Sequence, residues 1–199
     1  MSHGLFPERI ETERLALSQL TTADTTALYD LSRTDGWQTA TAENMPWFDF
    51  DHAGAVREFL AACESDWADA ETAAYGIRPL AGEPAAGDLI GLTRFNPEWD
   101  RDRAGAGVVI TEPQQGRGYG TERAEALLEL AFDRLGLGAW VSTHAAGNDA
   151  SRQMVESYVV ANGGQCDGLL RHENPRPDGR MTDQYRYSLL REEWADPEE

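Results

Sequence analysis

The sequence predicts an α/β (α+β) fold, with a mixed, mostly antiparallel central sheet of about seven strands and about four helices. Short segments of alternating apolar and polar residues cluster between residues 73 and 111, which is typical of an antiparallel meander. An amphipathic helix follows this meander directly, and further strand patterns close the chain. With 199 residues and no internal repeat or linker, we expect one domain over 1–199, with 195–199 as a frayed acidic tail.

The first half of the chain combines strand and helix patterns. Strands are expected over 14–20, 73–80, 88–96 and 106–111. One helix begins after Thr21 or Thr22 and runs to about residue 32, and another covers 53–68. Between these helices, residues 34–50 are expected to form a loop. It carries four aromatic side chains, Trp37, Trp47, Phe48 and Phe50, which either pack or flank a bound acceptor.

The second half begins with the clearest helical pattern in the chain. From Thr121, apolar residues recur at the spacing of one helix face: Ala124, Leu127, Leu128, Ala131, Phe132 and Leu135. Gly136 and Gly138 end this helix. A strand over 139–143 follows, and Asn148 or Asp149 then begins a helix that runs to about residue 161. The last two strands are expected over 165–170 and 183–190.

The chain is strongly acidic. Its 17 basic residues are all arginine and stand against 35 acidic ones, so the formal net charge is −18. Such a surface repels nucleic acid, and we expect no nucleic-acid partner. In a salt-rich cytoplasm, dense carboxylates keep a protein hydrated while counterions screen their repulsion. The acid excess and the lack of lysine resemble proteins of halophilic archaea, so we do not take the charge as a substrate signal.

Several classes of protein are excluded by what the sequence lacks. No apolar run approaches the roughly 20 residues of a membrane helix, and the N-terminus has no signal-peptide pattern. We therefore expect a cytoplasmic protein without a membrane partner. Cys63 and Cys166 have no metal-ligand spacing, so no metal site is expected. A homodimer stays open.

One turn indicates a phosphate site. The segment Gln115-Gly116-Arg117-Gly118-Tyr119-Gly120 joins a strand to the amphipathic helix. Glycines let backbone amides point inward, and the helix adds unpaired amides and the positive end of its dipole. A P-loop needs a lysine, which this chain lacks. A dinucleotide fingerprint needs Gly-x-Gly-x-x-Gly in a parallel unit, whereas here a meander precedes Gly-x-Gly-x-Gly.

The spacing of Gln115, Gly118 and Gly120 matches Gln/Arg-x-x-Gly-x-Gly/Ala, and the chain resembles the GCN5-related N-acetyltransferase (GNAT) superfamily, whose pyrophosphate motif this is. Further segments, in order along the chain, resemble the RimJ/RimL-like branch, the ribosomal-protein N-acetyltransferases. They are Glu11-Thr12-Glu13-Arg14-Leu15, Leu89-Ile90-Gly91-Leu92, Thr121-Glu122, Asn148-Asp149-Ala150-Ser151, Asp167-Gly168-Leu169-Leu170-Arg171 and the stretch from Asp183 through Glu193-Trp194. The resemblance implies the GNAT fold, with a sheet splayed at the cofactor site.

The resemblance also implies acetyl-CoA as co-substrate. The backbone at Ile110 and Thr111 would pair with the pantetheine arm. The Asn148 side chain would contact the pantetheine, and Ser151 would face the sulfur, although both residues also suit purely structural roles at a helix start. Backbone amides of the turn would hold the pyrophosphate: Gln115, Gly116, Arg117, Gly118, Tyr119, Gly120 and Thr121.

The mechanism implied by the family is direct transfer to an amine in a ternary complex. A backbone amide near Ile110 would stabilise the oxyanion. Ser151, directly or through water, is the candidate that protonates the leaving thiolate, because many relatives use a tyrosine where this chain has Val155. Tyr158 is interpreted as a packing residue. The candidates for the base, each of which also suits a surface role, are Glu112, His144 and Glu173.

The acceptor is predicted from the branch and from acid–base chemistry. An α-amine of pKa about 7.7–8.0 is partly neutral at pH 7, whereas a lysine amine of pKa about 10.4 is not. A protein N-terminal amine therefore needs little help from a base. The alternatives are a small-amine acetyltransferase acting on a polyamine, antibiotic or amino acid, and a non-catalytic acyl-CoA-binding protein.

Overall fold

The computed structural model describes residues 4–41, 48–175 and 180–195. These residues form a mixed α/β fold with an open sheet of eight strands and six helices, which confirms the predicted fold class with slightly more elements. The strands are β1 (Arg9–Glu11), β2 (Leu15–Gln19), β3 (Ala73–Pro79), β4 (Gly91–Glu98), β5 (Arg103–Ile110), β6 (Ala139–Ala145), β7 (Gln165–Pro175) and β8 (Met181–Leu190). The helices are α1 (Thr25–Ser32), α2 (Asp35–Thr41), α3 (Ala53–Ala68), α4 (Tyr119–Glu129), α5 (Asp149–Tyr158) and α6 (Arg191–Ala195). None of these helices is long and apolar enough to cross a membrane.

Contacts within the chain define two compact units. The first unit comprises Met1–Asn96 and Ala106–Arg123, and the second comprises Pro97–Gly105 and Ala124–Glu199. Both β4 and β5 therefore contribute residues to each unit, and so does α4. The prediction of a single domain over 1–199 stays a prediction.

The first unit is built on an antiparallel arrangement of strands. β1 pairs with β2, β2 with β3 and β3 with β4, with registers such as Leu17 opposite Ile77 and Tyr75 opposite Thr93. Helices α1 and α3 contribute apolar side chains to this unit, and Leu28, Val56 and Leu60 are fully buried. The bounds of α3 match the predicted range 53–68.

The aromatic segment is part of the core of the first unit. Trp37, Phe48 and Phe50 are buried, and the Trp37 indole donates to the carbonyl of Phe48 at 3.2 Å. The loop predicted over 34–50 is wrong at its start, because Asp35–Thr41 form helix α2 and the buried Trp37 anchors it. Trp47 lies outside the described residues. The packing interpretation holds for the three described aromatic residues.

A glycine explains how closely β4 approaches β5. A Cβ atom at Gly91 would collide with the carbonyl oxygen of Val109. The amide of Thr111 donates to Ile90 at 3.0 Å and continues this pairing past the end of β5. The glycine in Leu89-Ile90-Gly91-Leu92 is therefore required by backbone contact, which places the end of β5 against β4.

The second unit contains the one parallel strand pair among the described residues. β5 pairs with β6 through Arg103 opposite Ala139 and Ala104 opposite Trp140. β8 then lies between β6 and β7 and is antiparallel to both. Trp140, Leu189 and residues of the α4 apolar stripe are buried here.

Several predicted bounds need correction. α4 begins at Tyr119, two residues before the predicted start, and its last turn is a π-helix over Leu130–Arg134. α5 ends at Tyr158 and passes into a 3-10 turn at Val160–Asn162. β7 is longer than predicted because its pairing with β8 resumes after irregular register between Leu170 and Asn174. The short elements β1 and α6 were not predicted, since three and five residues carry too little periodicity.

Candidate active site

The predicted phosphate turn follows β5 in the first unit. A 3-10 turn at Glu112–Gln114 leads into it, and the Gln115 side chain donates to the carbonyl of Ile110 at 2.8 Å. Gly116 and Gly118 have φ angles of +71° and +82°, which favour glycine. Gly116 and Gly118 therefore shape this turn as predicted, whereas Gly120 lies within α4.

The turn exposes a row of backbone donors. Within the described residues, the amides from Gly116 to Gly120 donate to no protein acceptor. The first hydrogen bond of α4 runs from the amide of Glu122 to the carbonyl of Gly118 at 3.1 Å. Because the amides gather at the positive end of the α4 dipole, the arrangement suits a phosphate group.

Two charged side chains, Arg14 and Glu122, bond to each other beside the turn, and Arg14 also bonds to one of its carbonyls. The Glu122 carboxylate accepts from the Arg14 amide and from Arg14 Nε, both at 2.7 Å, and from the Thr12 hydroxyl. Arg14 Nη1 donates to the carbonyl of Arg117 at 2.9 Å. Burial would raise the pKa of Glu122, but the hydrogen bonds from Thr12 and Arg14 outweigh it and lower that pKa.

Tyr119 contributes to the turn through its backbone, because its ring is buried. Its hydroxyl donates to Glu83 at 2.7 Å, and the Arg14 guanidinium lies 5.2 Å from the ring centroid. Burial, followed by the bond to Glu83, raises the pKa of Tyr119. Arg117 is exposed and Thr121 is half-buried.

The predicted pantetheine-pairing backbone already has protein partners. The carbonyl of Ile110 accepts from Gln115, and Thr111 bonds Ile90 through its amide and Gln114 through its carbonyl. A carbonyl has a second lone pair, so Ile110 keeps acceptor capacity. Glu112 is exposed in the 3-10 turn just after this strand end.

Of the three predicted candidates for the base, His144, in the second unit, is the one that is buried. It lies on β6, 5% exposed, with ring centroids 5.6 Å from both Tyr185 and Tyr187. Its Nδ1 lies 3.0 Å from the carbonyl of Ala145, so Nδ1 carries the proton of the neutral ring. Nε2 is then an acceptor, and it is buried without a partner among the described residues.

Asn148 and Ser151 begin α5. The Asn148 side-chain oxygen accepts from the Ser151 amide at 3.0 Å, which makes Asn148 the N-cap. The cap uses only the oxygen, so the Asn148 amide nitrogen keeps two donors. Both residues are half-buried, and the Ser151 hydroxyl bonds to no other described residue.

Tyr158 is held inside the second unit. Its hydroxyl lies 2.8 Å from the Ser142 hydroxyl, which also accepts from the Trp140 indole at 2.8 Å. Val155 and Tyr158 are each 1% exposed. This agrees with the packing interpretation of Tyr158, because its hydroxyl is committed to a buried bond.

Glu173 needs a correction of position. It was expected after the penultimate strand, but it lies within β7, because that strand extends to Pro175, and its side chain is exposed. Sequence reasoning also missed the partnership of Arg14 with Glu122. Both stood in segments that resemble the family, yet a contact between residues 108 positions apart leaves no mark in a single sequence.

The fold and the turn define the class of protein. The sequence profile of the acetyltransferase (GNAT) domain matches residues 14–158. The chain therefore belongs to the GNAT acetyltransferase domain family, as the ordered motifs predicted.

Named relatives agree with this assignment. The chain is 28% identical over 109 residues to an uncharacterized N-acetyltransferase, p20, from Bacillus licheniformis, and the match covers 54% of this chain and 58% of that protein. The chain thus spans less than two thirds of this curated relative.

Solved structures share the fold over nearly the whole chain. A putative acetyltransferase is 25% identical with a TM-score of 0.73, covering 96% of this chain and 93% of its own. The microcin C7 self-immunity acetyltransferase MccE, in complex with acetyl-CoA and AMP, is 18% identical with a TM-score of 0.79, covering 94% and 98%. RimL, a ribosomal-protein alpha-N-acetyltransferase in complex with coenzyme A, is 17% identical with a TM-score of 0.76, covering 92% and 98%.

Proposed function

We propose that this chain is a cytoplasmic, acetyl-CoA-dependent N-acetyltransferase that acts on a primary amine. The observation that carries the proposal is the row of amides from Gly116 to Gly120 without protein acceptors, at the start of α4 in a chain of the GNAT family. Acetyl-CoA supplies an acetyl group that is already activated as a thioester. The complexes of MccE with acetyl-CoA and of RimL with coenzyme A support this choice of co-substrate.

The residues of the turn fit a pyrophosphate. A Cβ at Gly116 would meet no atom within 4 Å, so the backbone is open to a ligand. We propose that the backbone amides from Gly116 to Thr121 bind the pyrophosphate. The exposed Arg117 side chain would neutralise part of the negative charge of that group. Gln115 acts through its bond to Ile110, which holds the turn against the end of β5.

The pantetheine and sulfur contacts are assigned to the backbone at Ile110 and Thr111 and to the start of α5. The N-cap bond fixes the Asn148 side chain and leaves its amide nitrogen free to donate to a pantetheine carbonyl. Ser151 keeps a hydroxyl without a described partner, and we assign it the protonation of the departing thiolate. A thiol of pKa about 8.5 needs only modest help from such a donor.

Among the three candidate bases we choose His144. Its Nε2 is a buried acceptor without a partner, and such groups are rare unless they have a function. Glu112 and Glu173 are exposed carboxylates that water already solvates. In this role, Nε2 of His144 accepts a proton from the substrate amine. The hydrogen bond between Nδ1 and the carbonyl of Ala145 fixes the orientation of the ring.

The acceptor we propose is a protein N-terminal α-amine, as in the RimJ/RimL-like branch. The fold shared with RimL supports this branch, and the low pKa of α-amines suits a site whose candidate base is one histidine. A small amine is the second candidate. Among the described residues, the aromatic side chains that could have gripped a peptide or a small amine, Trp37, Phe48 and Phe50, are buried in the core, so they favour neither acceptor.

Two measurements test the proposal. Because the net charge of −18 resembles that of halophilic proteins, both are made in molar KCl. Calorimetry with acetyl-CoA is expected to show binding, and thiol release is then assayed with N-terminal peptides, polyamines and aminoglycosides. Faster turnover of peptides than of the other amines is the expected result.

Each contrary result has a defined meaning. The absence of acetyl-CoA binding removes the whole proposal. Binding without turnover of any amine identifies a non-catalytic acyl-CoA-binding protein. Turnover of small amines alone replaces the peptide acceptor with a small one and leaves the cofactor site intact.

A further inference from the structure

The Glu122 carboxylate lies in the first turn of α4, where a bound anion would also lie. An unneutralised acid at that position would oppose a pyrophosphate. Here both carboxylate oxygens are occupied: the backbone and hydroxyl donors of Arg14 and Thr12 reach one, and the Arg14 guanidinium reaches the other. The Glu122 side chain is 14% exposed and the Arg14 side chain 33%, so this ion pair is partly shielded from water.

Arg14 extends from this carboxylate to the turn itself. Its Nη1 donates to the carbonyl of Arg117 at 2.9 Å, and its Nη2 lies 3.2 Å from the position of a Cβ at Gly118. One guanidinium thus bonds the Glu122 carboxylate through Nε and Nη2 and the middle of the turn through Nη1, which requires a planar fork of donors.

The bond to Arg117 determines where an amide points. A trans peptide unit is planar, with its carbonyl and its N–H on opposite sides. When Arg14 holds the Arg117 carbonyl, the N–H of Gly118 in the same peptide unit is directed away from Arg14. That N–H is one of the donors without a described protein acceptor.

We propose that Arg14 and Glu122 form a positioning pair, which aims the Gly118 amide at the pyrophosphate and neutralises the acid beside it. The inference rests on the proposed function, because it concerns the same phosphate turn. Neither residue is assigned contact with the acceptor or the thioester, so both act on cofactor affinity.

The test compares Arg14→Gln, Glu122→Gln and the double variant by calorimetry with acetyl-CoA. Glutamine at 122 keeps one oxygen for Thr12 and the Arg14 amide but loses the acceptor for the guanidinium. Each single variant is expected to raise the Kd for acetyl-CoA about tenfold. The double variant is expected to raise the Kd no further, because each single substitution already breaks the ion pair between Arg14 and Glu122. The kcat at saturating acetyl-CoA is expected to stay within about twofold of the wild-type value.

A matched control comes from the same unit. Arg78 and Asp24 form a partly buried ion pair at 2.6 Å, with side chains 21% and 19% exposed. Arg78→Gln removes a comparable pair and is expected to leave Kd unchanged. If Arg14→Gln fails to fold, Arg14→Lys replaces it, because a single ammonium does not reproduce the fork of donors.

Three outcomes overturn the inference. An unchanged Kd in Arg14→Gln with wild-type binding intact removes the positioning role. A loss for Arg14→Gln that is equally large in the Glu122→Gln background shows that Arg14 binds the cofactor directly. If the wild type binds no acetyl-CoA, the proposed function fails, and calorimetry with inorganic pyrophosphate still tests the pair: Arg14→Gln should bind pyrophosphate more weakly than the wild type does, and equal binding overturns the inference.

Discussion

The phosphate turn and the start of α5 are both helix N-termini, but their amides are treated differently. At the turn, side chains bind the carbonyls: Gln115 holds Ile110 and Arg14 holds Arg117, so the amides stay open. At the start of α5, by contrast, the side-chain oxygen of Asn148 accepts a hydrogen bond from the Ser151 amide. A helix start that leaves its amides open is suited to an anion, whereas one that caps itself is stable without a ligand.

The second region instead leaves side-chain groups open. Nε2 of His144, the Asn148 amide nitrogen and the Ser151 hydroxyl have no partner among the described residues. Such groups accept and donate protons or hydrogen bonds one at a time. We therefore expect substitutions at the turn to change cofactor affinity, and substitutions in the second region to change turnover.

The largest effect is expected at Gly118. Gly118→Leu places a side chain at a φ of +82°, with its Cβ 3.2 Å from Arg14, so the turn is both strained and displaced. Calorimetry should show acetyl-CoA affinity falling by more than about a hundredfold. Gly87→Leu is the matched control, because Gly87 has a φ of +84° in open space. Equal losses in both variants would show general destabilisation rather than a blocked site.

His144→Asn is expected to lower kcat/KM by about a hundredfold, the usual contribution of a positioned base. Asparagine retains a donor for the Ala145 carbonyl but has no atom at the position of Nε2. Acetyl-CoA binding should stay unchanged in the variant. His172→Asn, at an exposed position of β7, is the control. A wild-type kcat/KM in His144→Asn would show that His144 is not the base and that its ring only packs between its neighbours.

The difference between the two regions also explains what could be predicted. The turn was predictable because glycine spacing and the following helical period are local features, and Gly116 and Gly118 have the expected positive φ angles. The bounds of α3 also match the range predicted from the local sequence pattern. Sequence patterns report local conformation. The bounds of a long helix with a regular apolar periodicity were therefore predicted most accurately.

Tertiary context decided the rest. The helix at Asp35–Thr41 contains Gly36 and Trp37, and the burial of Trp37 against Phe48 stabilises it more than its own propensity does. A Cβ at Gly36 would lie 2.6 Å from Pro113, so this glycine serves a contact far along the chain. The role of Arg14 was hidden for the same reason.

A smaller effect is expected for Ser151→Ala. Removing the hydroxyl should lower kcat about tenfold, because water replaces a donor that only assists an already acidic thiol. The N-cap bond uses the Ser151 amide, which alanine retains, so acetyl-CoA affinity and stability should change little. Ser157→Ala on the exposed side of α5 is the control. An unchanged kcat would transfer the proton donation to water or to Tyr158.

The smallest effect on turnover is expected for Tyr158→Phe, and it tests whether the second region contains a further proton donor. The Tyr158 hydroxyl is buried and bonded to Ser142, which keeps its bond from Trp140 when the hydroxyl is removed. The free energy of unfolding should fall by about 1 kcal/mol, the net value of one such hydrogen bond. The kcat should stay within about twofold of the wild-type value, because a hydroxyl committed to the core does not reach the sulfur. A tenfold loss of kcat at saturating acetyl-CoA would instead make Tyr158 the donor and Ser151 the residue that only begins the helix.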